Sequence, residues 1–246
     1  MSVSSALVDT RVVITGASRD LGRALAVQFA RQGAEVLLSA RTWEAAEAVA
    51  EEIRALGHDR VRAYRCDTGD PSSVRAFARE LRAHTDRVDV LVNNAARWLG
   101  GEDLLSVSDE DVVDTINSGA TGTVLMVRNL LPLLRNSPRP DIVNMVSVCG
   151  VPQNHRSDAH DAFYAAKSAQ AGFSEVLSKR LRPEGVRVIS LYPPDFVNHD
   201  PLSEQWGSAD RSADAMLTSQ SVVECVLFAV KQPRDCFIRS FHFEQV

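Results

Sequence analysis

The stretch RVVITGASRDLG, residues 11–22, decides the fold. It opens with a short β-branched run, which predicts a buried strand. Gly16 follows at once, and Gly22 lies at the start of a segment with helical spacing of apolar residues. A strand, a glycine-containing turn and a helix direct backbone N–H groups and the positive helix end at one point, an arrangement suited to a phosphate group. Alone the pattern is a weak signal, because glycine is also an ordinary turn residue.

Outward from this stretch, apolar strands alternate with helical segments along the chain. The predicted strands are 11–15, 35–40, 61–66, 88–93, 142–146, 186–191 and 236–243. The predicted helices are 23–32, 42–56, 72–84, 108–131, 163–182 and 221–231. This alternation predicts an α/β fold, a doubly wound parallel sheet (Rossmann-like) of about seven strands with helices on both faces, in a single domain over 1–246. The polar, irregular segment 195–218 is predicted to form a lid or substrate loop.

Composition excludes several classes of protein. The 246 residues are 45% hydrophobic and 24% charged, which is typical of a soluble globular chain. The net charge of −5, without a basic block, argues against nucleic acid as a partner. No apolar run approaches the roughly 20 residues of a membrane span. We expect no secretory signal, because the first residues show no charged region followed by a long apolar core. The four cysteines are scattered without metal-ligand spacing, so we expect no metal, reduced thiols and a cytoplasmic protein.

A second stretch, SVCGVPQNHRSDAHDAFYAAK at 147–167, carries the chemistry. It brings together the Ser147 hydroxyl, the aromatic pair Phe163 and Tyr164, and Lys167, across a loop rich in His and Asp. Together with Thr15-Gly16, the run Asn93 to Ala96, and Asn117, it occurs in an order and spacing that resemble the short-chain dehydrogenase/reductase family. The resemblance covers roughly residues 10–202, and the combination is far more specific than any one piece.

The resemblance implies a dinucleotide cofactor bound along the sheet edge. The residues that it implies for cofactor binding are Thr15, Gly16, Ser18, Arg19, Leu21, Gly22, Arg41, Asp67, Asn93, Ala95, Lys167 and Pro193. Relatives that prefer NAD place an acid at the end of the second strand, whereas this chain reads Ser39-Ala40-Arg41. Arg19 in the turn adds a second guanidinium, and arginine is well suited to binding a 2′-phosphate. We therefore predict NADP(H).

The resemblance also implies four catalytic roles: a tyrosine that donates a proton, a lysine four residues later, a serine that orients the carbonyl, and an asparagine that holds a water. The chain keeps Asn117, Ser147 and Lys167, but Phe163 stands at the tyrosine position. Sliding Tyr164 into that position would put a serine in place of the lysine, and on a regular helix Tyr164 points about 100° away. A bulge at the helix start would recruit Tyr164, so we retain it as a catalytic candidate.

Other departures from the family pattern leave alternatives open. Asp20 replaces the middle glycine of the turn; it either points away and caps the helix, the alternative we favour, or weakens cofactor binding. A loop histidine (His155 or His160), a water or the substrate itself is an alternative proton source. After Pro193 the usual glycine is Pro194, and His199 or Asp200 falls near the usual threonine.

The sequence therefore favours an NADP(H)-dependent ketone reductase or alcohol dehydrogenase with a non-standard proton donor. Its partner is expected to be a small to medium, fairly apolar small-molecule substrate. Trp98, Leu99, Phe196 and Trp206 are candidates for the pocket wall. The alternatives are a non-redox enzyme of the same fold (a cyclase, dehydratase or isomerase) and a catalytically silent NADP(H)-binding protein. The resemblance further implies a homodimer or homotetramer.

Overall fold

The computed structural model describes residues 7–101, 103–154 and 157–244. The strands are β1 Arg11–Thr15, β2 Glu35–Ala40, β3 Val61–Arg65, β4 Val90–Asn93, β5 Asp141–Met145, β6 Arg187–Tyr192 and β7 Ser240–His242. The α-helices are α1 Asp20–Arg31, α2 Trp43–Ala55, α3 Pro71–His84, α4 Asp109–Ile116, α5 Gly122–Arg135, α6 Asp161–Leu181, α7 Glu204–Ser208 and α8 Ser219–Lys231. A π-helical turn, Asn117–Thr121, separates α4 from α5. Within these residues no helix is long and apolar enough to cross a membrane.

The seven strands form one parallel sheet in the order β3-β2-β1-β4-β5-β6-β7. The prediction of a doubly wound, Rossmann-like, single-domain fold is therefore confirmed. Successive residues of β1 face opposite sides: Val12 and Ile14 pack against α1 and α8, whereas Val13 packs against α3 and α5. Apolar residues on both faces of a strand are what a sheet covered by helices on both sides requires.

The last strand is shorter than predicted. The sequence indicates a strand over 236–243, but β7 holds only three residues. The buried Arg187 guanidinium explains the difference, because its Nη1 donates to the carbonyl oxygen of Cys236 at 2.8 Å and to that of Gln232 at 3.1 Å. Those carbonyls therefore face a side chain instead of a neighbouring strand.

The predicted single helix over 108–131 is also divided. Its start is confirmed, since the Ser108 hydroxyl accepts the Asp111 N–H at 3.1 Å. At Asn117 the α-helical hydrogen-bonding pattern gives way to one wider π turn, and the Thr121 hydroxyl donates to Asn117 Oδ1 at 3.3 Å. Such turns frequently occur at functional sites.

The carboxyl ends of the parallel strands all lie along one edge of the sheet, which is where ligands bind in open α/β folds. Thr15 ends β1, Asn93 ends β4, and Ser147 lies two residues beyond β5. Arg41 and Pro193 directly follow β2 and β6. Residues that are far apart in the chain are thus brought to one edge.

Candidate active site

The glycine turn after β1 is packed too closely for any larger residue. A Cβ on Gly22 would lie 2.1 Å from the Gly16 carbonyl oxygen and 2.6 Å from Asn94 Nδ2. A Cβ on Gly16, which has a φ of +64°, would lie 2.9 Å from the Ala95 Cα. Gly22 thus permits the close approach of α1 to the turn, as predicted.

Thr15 and Asn94 join this turn to the loop after β4. The Thr15 hydroxyl accepts the N–H groups of Asn94 and Ala95, each at 3.1 Å. The Asn94 amide donates to the carbonyls of Thr15 at 3.1 Å and Gly16 at 3.2 Å. Sequence reasoning assigned no role to Asn94, although its place in the Asn93–Ala96 run was a signal. Its amide fixes the carbonyls of the turn, so the shape of the turn is set before any ligand arrives.

The start of α1 is suited to a phosphate group. Among the residues that the structure describes, no side chain caps α1, whereas Thr42, Asp70, Ser108, His160 and Thr218 cap α2, α3, α4, α6 and α8. The first N–H groups of a helix need acceptors from outside it. A pyrophosphate supplies them and is favoured by the helix dipole. Ser18 and the buried Leu21 flank this helix start.

Asp20 does not cap α1, contrary to our expectation. It has a φ of +49°, the left-handed region that favours glycine and that aspartate tolerates better than most residues. Its exposed carboxylate lies 3.6 Å from Arg19 Nε. The predicted direction, away from the turn, therefore agrees with the structure, but the role is a surface ion pair rather than a cap.

The guanidiniums of Arg19 and Arg41 are both exposed at the ends of adjacent strands. The side chain of Arg19 is 82% exposed, and Asp20 is its only ion-pair partner in the described ranges. Ala17, in the turn, donates its N–H to the Ser39 carbonyl at 2.9 Å, which places the turn beside the end of β2. Arg65 adds a third guanidinium, whose Nε donates to the Arg41 carbonyl at 3.3 Å. The edge thus carries a cluster of positive charge where a 2′-phosphate is expected.

The other predicted cofactor residues lie along the same edge. Asp67 accepts the Gly69 N–H at 3.0 Å, which holds the loop after β3 in a turn. Asn93 is buried and donates to Asn144 Oδ1 at 2.8 Å, while its own Oδ1 has no partner within the described segments. Pro193 is buried, and its carbonyl accepts the Val148 N–H at 3.0 Å. This last bond ties the loop after β6 to the loop after β5.

Ser147 is held in a strained conformation that presents its hydroxyl. Its φ is +135°, an unusual value for a residue with a side chain, and such strain clusters at functional sites. The Ser147 Oγ accepts the Cys149 N–H at 3.2 Å. The described residues offer the hydroxyl hydrogen no acceptor, so this hydrogen is available to a ligand.

Phe163 faces Lys167, as expected for two residues four positions apart on one helix. The Lys167 Nζ lies 5.4 Å from the centroid of the Phe163 ring. That ring is 6% exposed and packs edge-on against Trp98, with the two ring centroids 4.9 Å apart. The ring that lies beside the lysine amine is therefore that of Phe163.

Lys167 is buried in a polar network. Its Nζ donates to the Met145 carbonyl at 2.7 Å and to Gln170 Oε1 at 3.1 Å. The Gln170 amide donates at 3.0 Å to the hydroxyl of Thr123, which lies two residues after the π turn that contains Asn117. Burial lowers the pKa of Lys167 to about 7, since desolvation penalises the ammonium form. Gln170 was not predicted, although its position three residues after Lys167 placed it on the same helix face.

Tyr164 is engaged elsewhere. Its hydroxyl accepts the Ser157 N–H and donates to the Ser157 carbonyl, each at 3.1 Å. Burial raises the pKa of Tyr164, and the hydrogen bond from the Ser157 backbone opposes that shift. The hydroxyl therefore holds the loop after Ser147 in this conformation.

Of the two loop histidines, the structure describes His160. His155 lies outside the described residues. His160 is fully buried, and its Nδ1 accepts the Ala162 N–H at 3.1 Å, so it caps α6. Its Nε2 is buried without a partner in the described part of the chain.

A cavity of about 610 Å³ opens between the loop after β5 and the segment 211–218, and Val148, the neighbour of Ser147, lies on its wall. It is lined by residues of the loop that follows Ser147, of the ends of β6 and β7, of the segment 195–218 and of α8: Val148, Val151, Asn154, Ser157, Tyr192, Pro194, Asp195, Arg211, Ser212, Ala213, Ala215, Met216, Leu217, Thr218, Ser221, His242, Phe243 and Glu244. None of the four expected wall residues is among them. Phe196 and Trp206 pack on the core instead, and Trp98 packs on Phe163.

Backbone hydrogen bonds join the two ends of the segment 195–218 to each other. Val197 donates to the Leu217 carbonyl at 2.9 Å, and Ser219 donates to the Val197 carbonyl at 2.8 Å. Asp200 accepts from Arg23 Nη1 at 2.7 Å, which ties the segment to α1. Asp200 is thus held by a helix arginine, and between these anchors the residues 211–218 form one wall of the cavity.

Comparison with known proteins agrees with this geometry. The family model for short chain dehydrogenase matches residues 10–202. An NADP-dependent 3-hydroxy acid dehydrogenase of Schizosaccharomyces pombe is 25% identical over 234 residues, 92% of this chain and 89% of that protein. A 3-ketodihydrosphingosine reductase of Bacteroides thetaiotaomicron is 30% identical over 218 residues, 87% and 75% respectively. The crystal structure of a metagenomic short-chain oxidoreductase in complex with NADP superposes with a TM-score of 0.80 at 27% identity, covering 96% of this chain and 97% of that one.

Proposed function

The chain belongs to the short-chain dehydrogenase family, and on that premise we propose that it is an NADP(H)-dependent oxidoreductase that interconverts a ketone and an alcohol. One observation carries the proposal. The Ser147 hydroxyl and the Lys167 ammonium lie at the end of β5, on the same sheet edge as the uncapped start of α1 and the Arg19 and Arg41 guanidiniums. The cofactor would run between these two groups of residues.

We propose for the cofactor residues the roles that the family resemblance implies. The helix start with Gly16, Ser18, Leu21 and Gly22 would hold the pyrophosphate. Arg19 and Arg41 would pair with the 2′-phosphate, where an arginine fork binds strongly. A further set would line the adenine and nicotinamide ends: Thr15, Asp67, Asn93, Ala95, Lys167 and Pro193. When bound, the reduced nicotinamide supplies the hydride that reduces the carbonyl carbon.

Ser147 would polarise the carbonyl. Because its oxygen already accepts the Cys149 N–H, its hydrogen is free to donate to the substrate oxygen. A preformed donor at the atom that gains negative charge stabilises the transition state. The strained backbone of Ser147 holds this donor in place without reorganisation.

Lys167 is proposed to supply the proton. Two of the three N–H bonds of its ammonium group go to Met145 and Gln170, which leaves one for the active site. A pKa of about 7 suits proton transfer near neutral pH. A water in the place of the absent phenol oxygen would pass the proton to the substrate, and Asn117 would help to hold it. Tyr164 is the second candidate donor, and its use requires release of its hydroxyl from Ser157.

The substrate is proposed to be a small to medium, fairly apolar carbonyl compound. The cavity of about 610 Å³ has the size of a small-molecule site, and the segment 195–218 would act as its lid.

We also propose a homodimer or homotetramer, because Val113, Val124 and Val176 expose apolar surface on α4, α5 and α6. Cytoplasmic location is proposed on the four cysteines, all of which are free thiols.

The test measures binding and turnover separately. Calorimetry with NADPH and NADH should show tight binding of NADPH alone, and a panel of ketones should then be screened for NADPH oxidation. If neither NADPH nor NADH binds, the cofactor assignment is refuted. Binding without turnover of any ketone would select the catalytically silent alternative, and turnover of a substrate without NADPH oxidation would select a non-redox enzyme.

A further inference from the structure

Three polar side chains line a buried face of α6 at helical spacing. Lys167, Gln170 and Ser174 are 4%, 1% and 2% exposed, and their intervals of three and four residues place them on one side of the helix. A polar group is costly to bury unless it forms hydrogen bonds. Ser174 accepts from Asn144 Nδ2 at 2.8 Å and donates to the Gln170 main-chain carbonyl at 2.7 Å. The Gln170 side chain, in turn, joins Lys167 to α5.

The Gln170 amide has one orientation that satisfies its neighbours. The Thr123 hydroxyl donates its single hydrogen to the Gly119 carbonyl at 2.7 Å, so its oxygen accepts from the Gln170 NH2 group at 3.0 Å. The Gln170 Oε1 therefore faces the Lys167 Nζ at 3.1 Å. The opposite orientation would set two donors against each other at the lysine and two acceptors at the threonine. Thr123 thus fixes a hydrogen-bond acceptor against the lysine amine.

This acceptor determines which way the amine points. Within the described ranges, the Lys167 Nζ donates to the Met145 carbonyl at 2.7 Å and to Gln170 Oε1. An ammonium group has a third N–H bond, and a neutral amine has a lone pair in its place. Both forms keep the same two partners, so loss of the proton changes the third position from a donor to an acceptor. Met145 and Gln170 together therefore set the direction in which Lys167 exchanges its proton.

Few titratable groups act on this amine from the surrounding elements. Burial lowers the pKa of Lys167 to about 7, and the Cys149 thiol, in the turn after Ser147, acts in the opposite direction. Other titratable groups on α6 and on the elements packed against it have partners of their own: Tyr164 with Ser157, Asp111 and Asp114 of α4 with Arg97, Arg187 of β6 with Asp141, Tyr192 of β6 with His242, and Glu184 in the turn after α6 with Arg135. Of the side chains named, Gln170 alone is hydrogen-bonded to the amine in the described segments.

We propose that Gln170 is a positioning residue for Lys167: its Oε1, aimed by Thr123, fixes the direction of the amine and favours the ammonium form. A hydrogen bond from a charged donor is about twice as strong as one from a neutral donor. An acceptor at this place therefore stabilises the proton on the lysine. The inference rests on the proposed function, since it concerns the group that supplies the proton in that reaction.

The test titrates the lysine directly, without nucleotide or substrate. The chain has three lysines, Lys167, Lys179 and Lys231. NMR of protein labelled with ¹³C at the lysine Cε therefore gives three signals to follow against pH. Lys167→Met identifies the signal of Lys167 by its loss. The midpoint of that signal in the parent is expected near pH 7.

Two substitutions of Gln170 should move this midpoint in opposite directions. Gln170→Leu keeps most of the side-chain volume, removes the acceptor and should lower the midpoint by about one pH unit. Gln170→Glu places a carboxylate beside the amine and should raise it. An unchanged or raised midpoint in Gln170→Leu, or a lowered one in Gln170→Glu, would overturn the inference.

Ser178→Ala is the matched control. Ser178 is buried on the same helix, and its hydroxyl has no partner in the described part of the chain. The midpoint of Lys167 in this variant should equal that of the parent. A shift as large as that of Gln170→Leu would make the effect a general response of α6 to substitution and would also overturn the inference.

Initial rates against pH separate this inference from the proposed function. If ketones are reduced, the pH at which kcat falls should move down in Gln170→Leu by the same amount as the NMR midpoint. If no ketone is reduced and the midpoints shift as expected, the reaction assignment fails and the role of Gln170 stands. If the midpoints shift and the pH profile of ketone reduction does not, Lys167 is not the proton source. If the midpoints stay in place, the role of Gln170 is wrong whatever the enzyme reduces.

Discussion

Lys167 should make the stability of the protein depend on pH in a way that one substitution removes. Its pKa falls from the ordinary 10.5 to about 7 in the folded state because the amine is buried. The difference of about 3.5 corresponds to about 5 kcal/mol, at 1.36 kcal/mol for each pKa unit. Burial of this lysine therefore costs the folded state about 5 kcal/mol when the amine is protonated in both states.

The sign follows from proton binding. Between pH 7 and pH 10.5 the unfolded chain holds a proton on Lys167 that the folded protein has largely released. Stability rises with pH wherever the unfolded state binds more protons. The cost of burial should therefore fall by about 2 kcal/mol between pH 7 and pH 9.

The assay is urea unfolding of the parent and of Lys167→Met at pH 7, 8 and 9 without nucleotide. Methionine keeps most of the apolar volume and has no titrating group. The parent should gain about 2 kcal/mol relative to the variant over this range. Lys179→Met, which removes the same charge from an exposed position of α6, is the control. A stability difference between parent and Lys167→Met that does not change with pH would refute the reasoning.

Three further predictions concern the cofactor, the reaction and the sheet edge. Arg41→Ala should weaken NADPH binding about tenfold and leave NADH binding nearly unchanged, as calorimetry would show, because an arginine–phosphate contact contributes about 1.5–3 kcal/mol. Ketone reduction should slow as pH rises above about 7 while alcohol oxidation accelerates, because reduction needs the protonated form of Lys167 and oxidation needs the neutral form. Initial rates of both reactions, measured against pH, check this. Arg187→Leu should lower the free energy of unfolding by about 1.5–3 kcal/mol in urea titrations, since the buried Asp141 carboxylate loses its bidentate partner at 2.6 and 2.8 Å and keeps Arg234 at 2.7 Å.

The central strands of the sheet were predictable because they are short, largely apolar runs. Val12 to Ile14 pack on both faces, and this requirement is already visible in their residue types. Helix starts were predictable where the sequence supplies a capping residue, as at Ser108. Asp20 was misjudged because its left-handed backbone excludes the capping geometry that its residue type favours.

The wall of the cavity could not be predicted. Arg211 and Asp195 lie in an irregular segment, and no periodic pattern indicates which of its residues face inward. The bond between Tyr164 and Ser157 depends on how the intervening loop folds back on α6. The π turn at Asn117 likewise depends on how α4 and α5 pack on α6. The residue types in these helices do not indicate that packing.

The central claim is that Phe163 occupies the position of the proton-donating tyrosine and that the enzyme works without that phenol. The most direct test compares kcat for ketone reduction in the parent, in Phe163→Tyr and in Tyr164→Phe. Phe163→Tyr should raise kcat about a hundredfold, in the range of a general acid, and Tyr164→Phe should keep kcat within about threefold, because its hydroxyl serves the loop. Loss of turnover in Tyr164→Phe, with no gain in Phe163→Tyr, would contradict the account and make Tyr164 the donor.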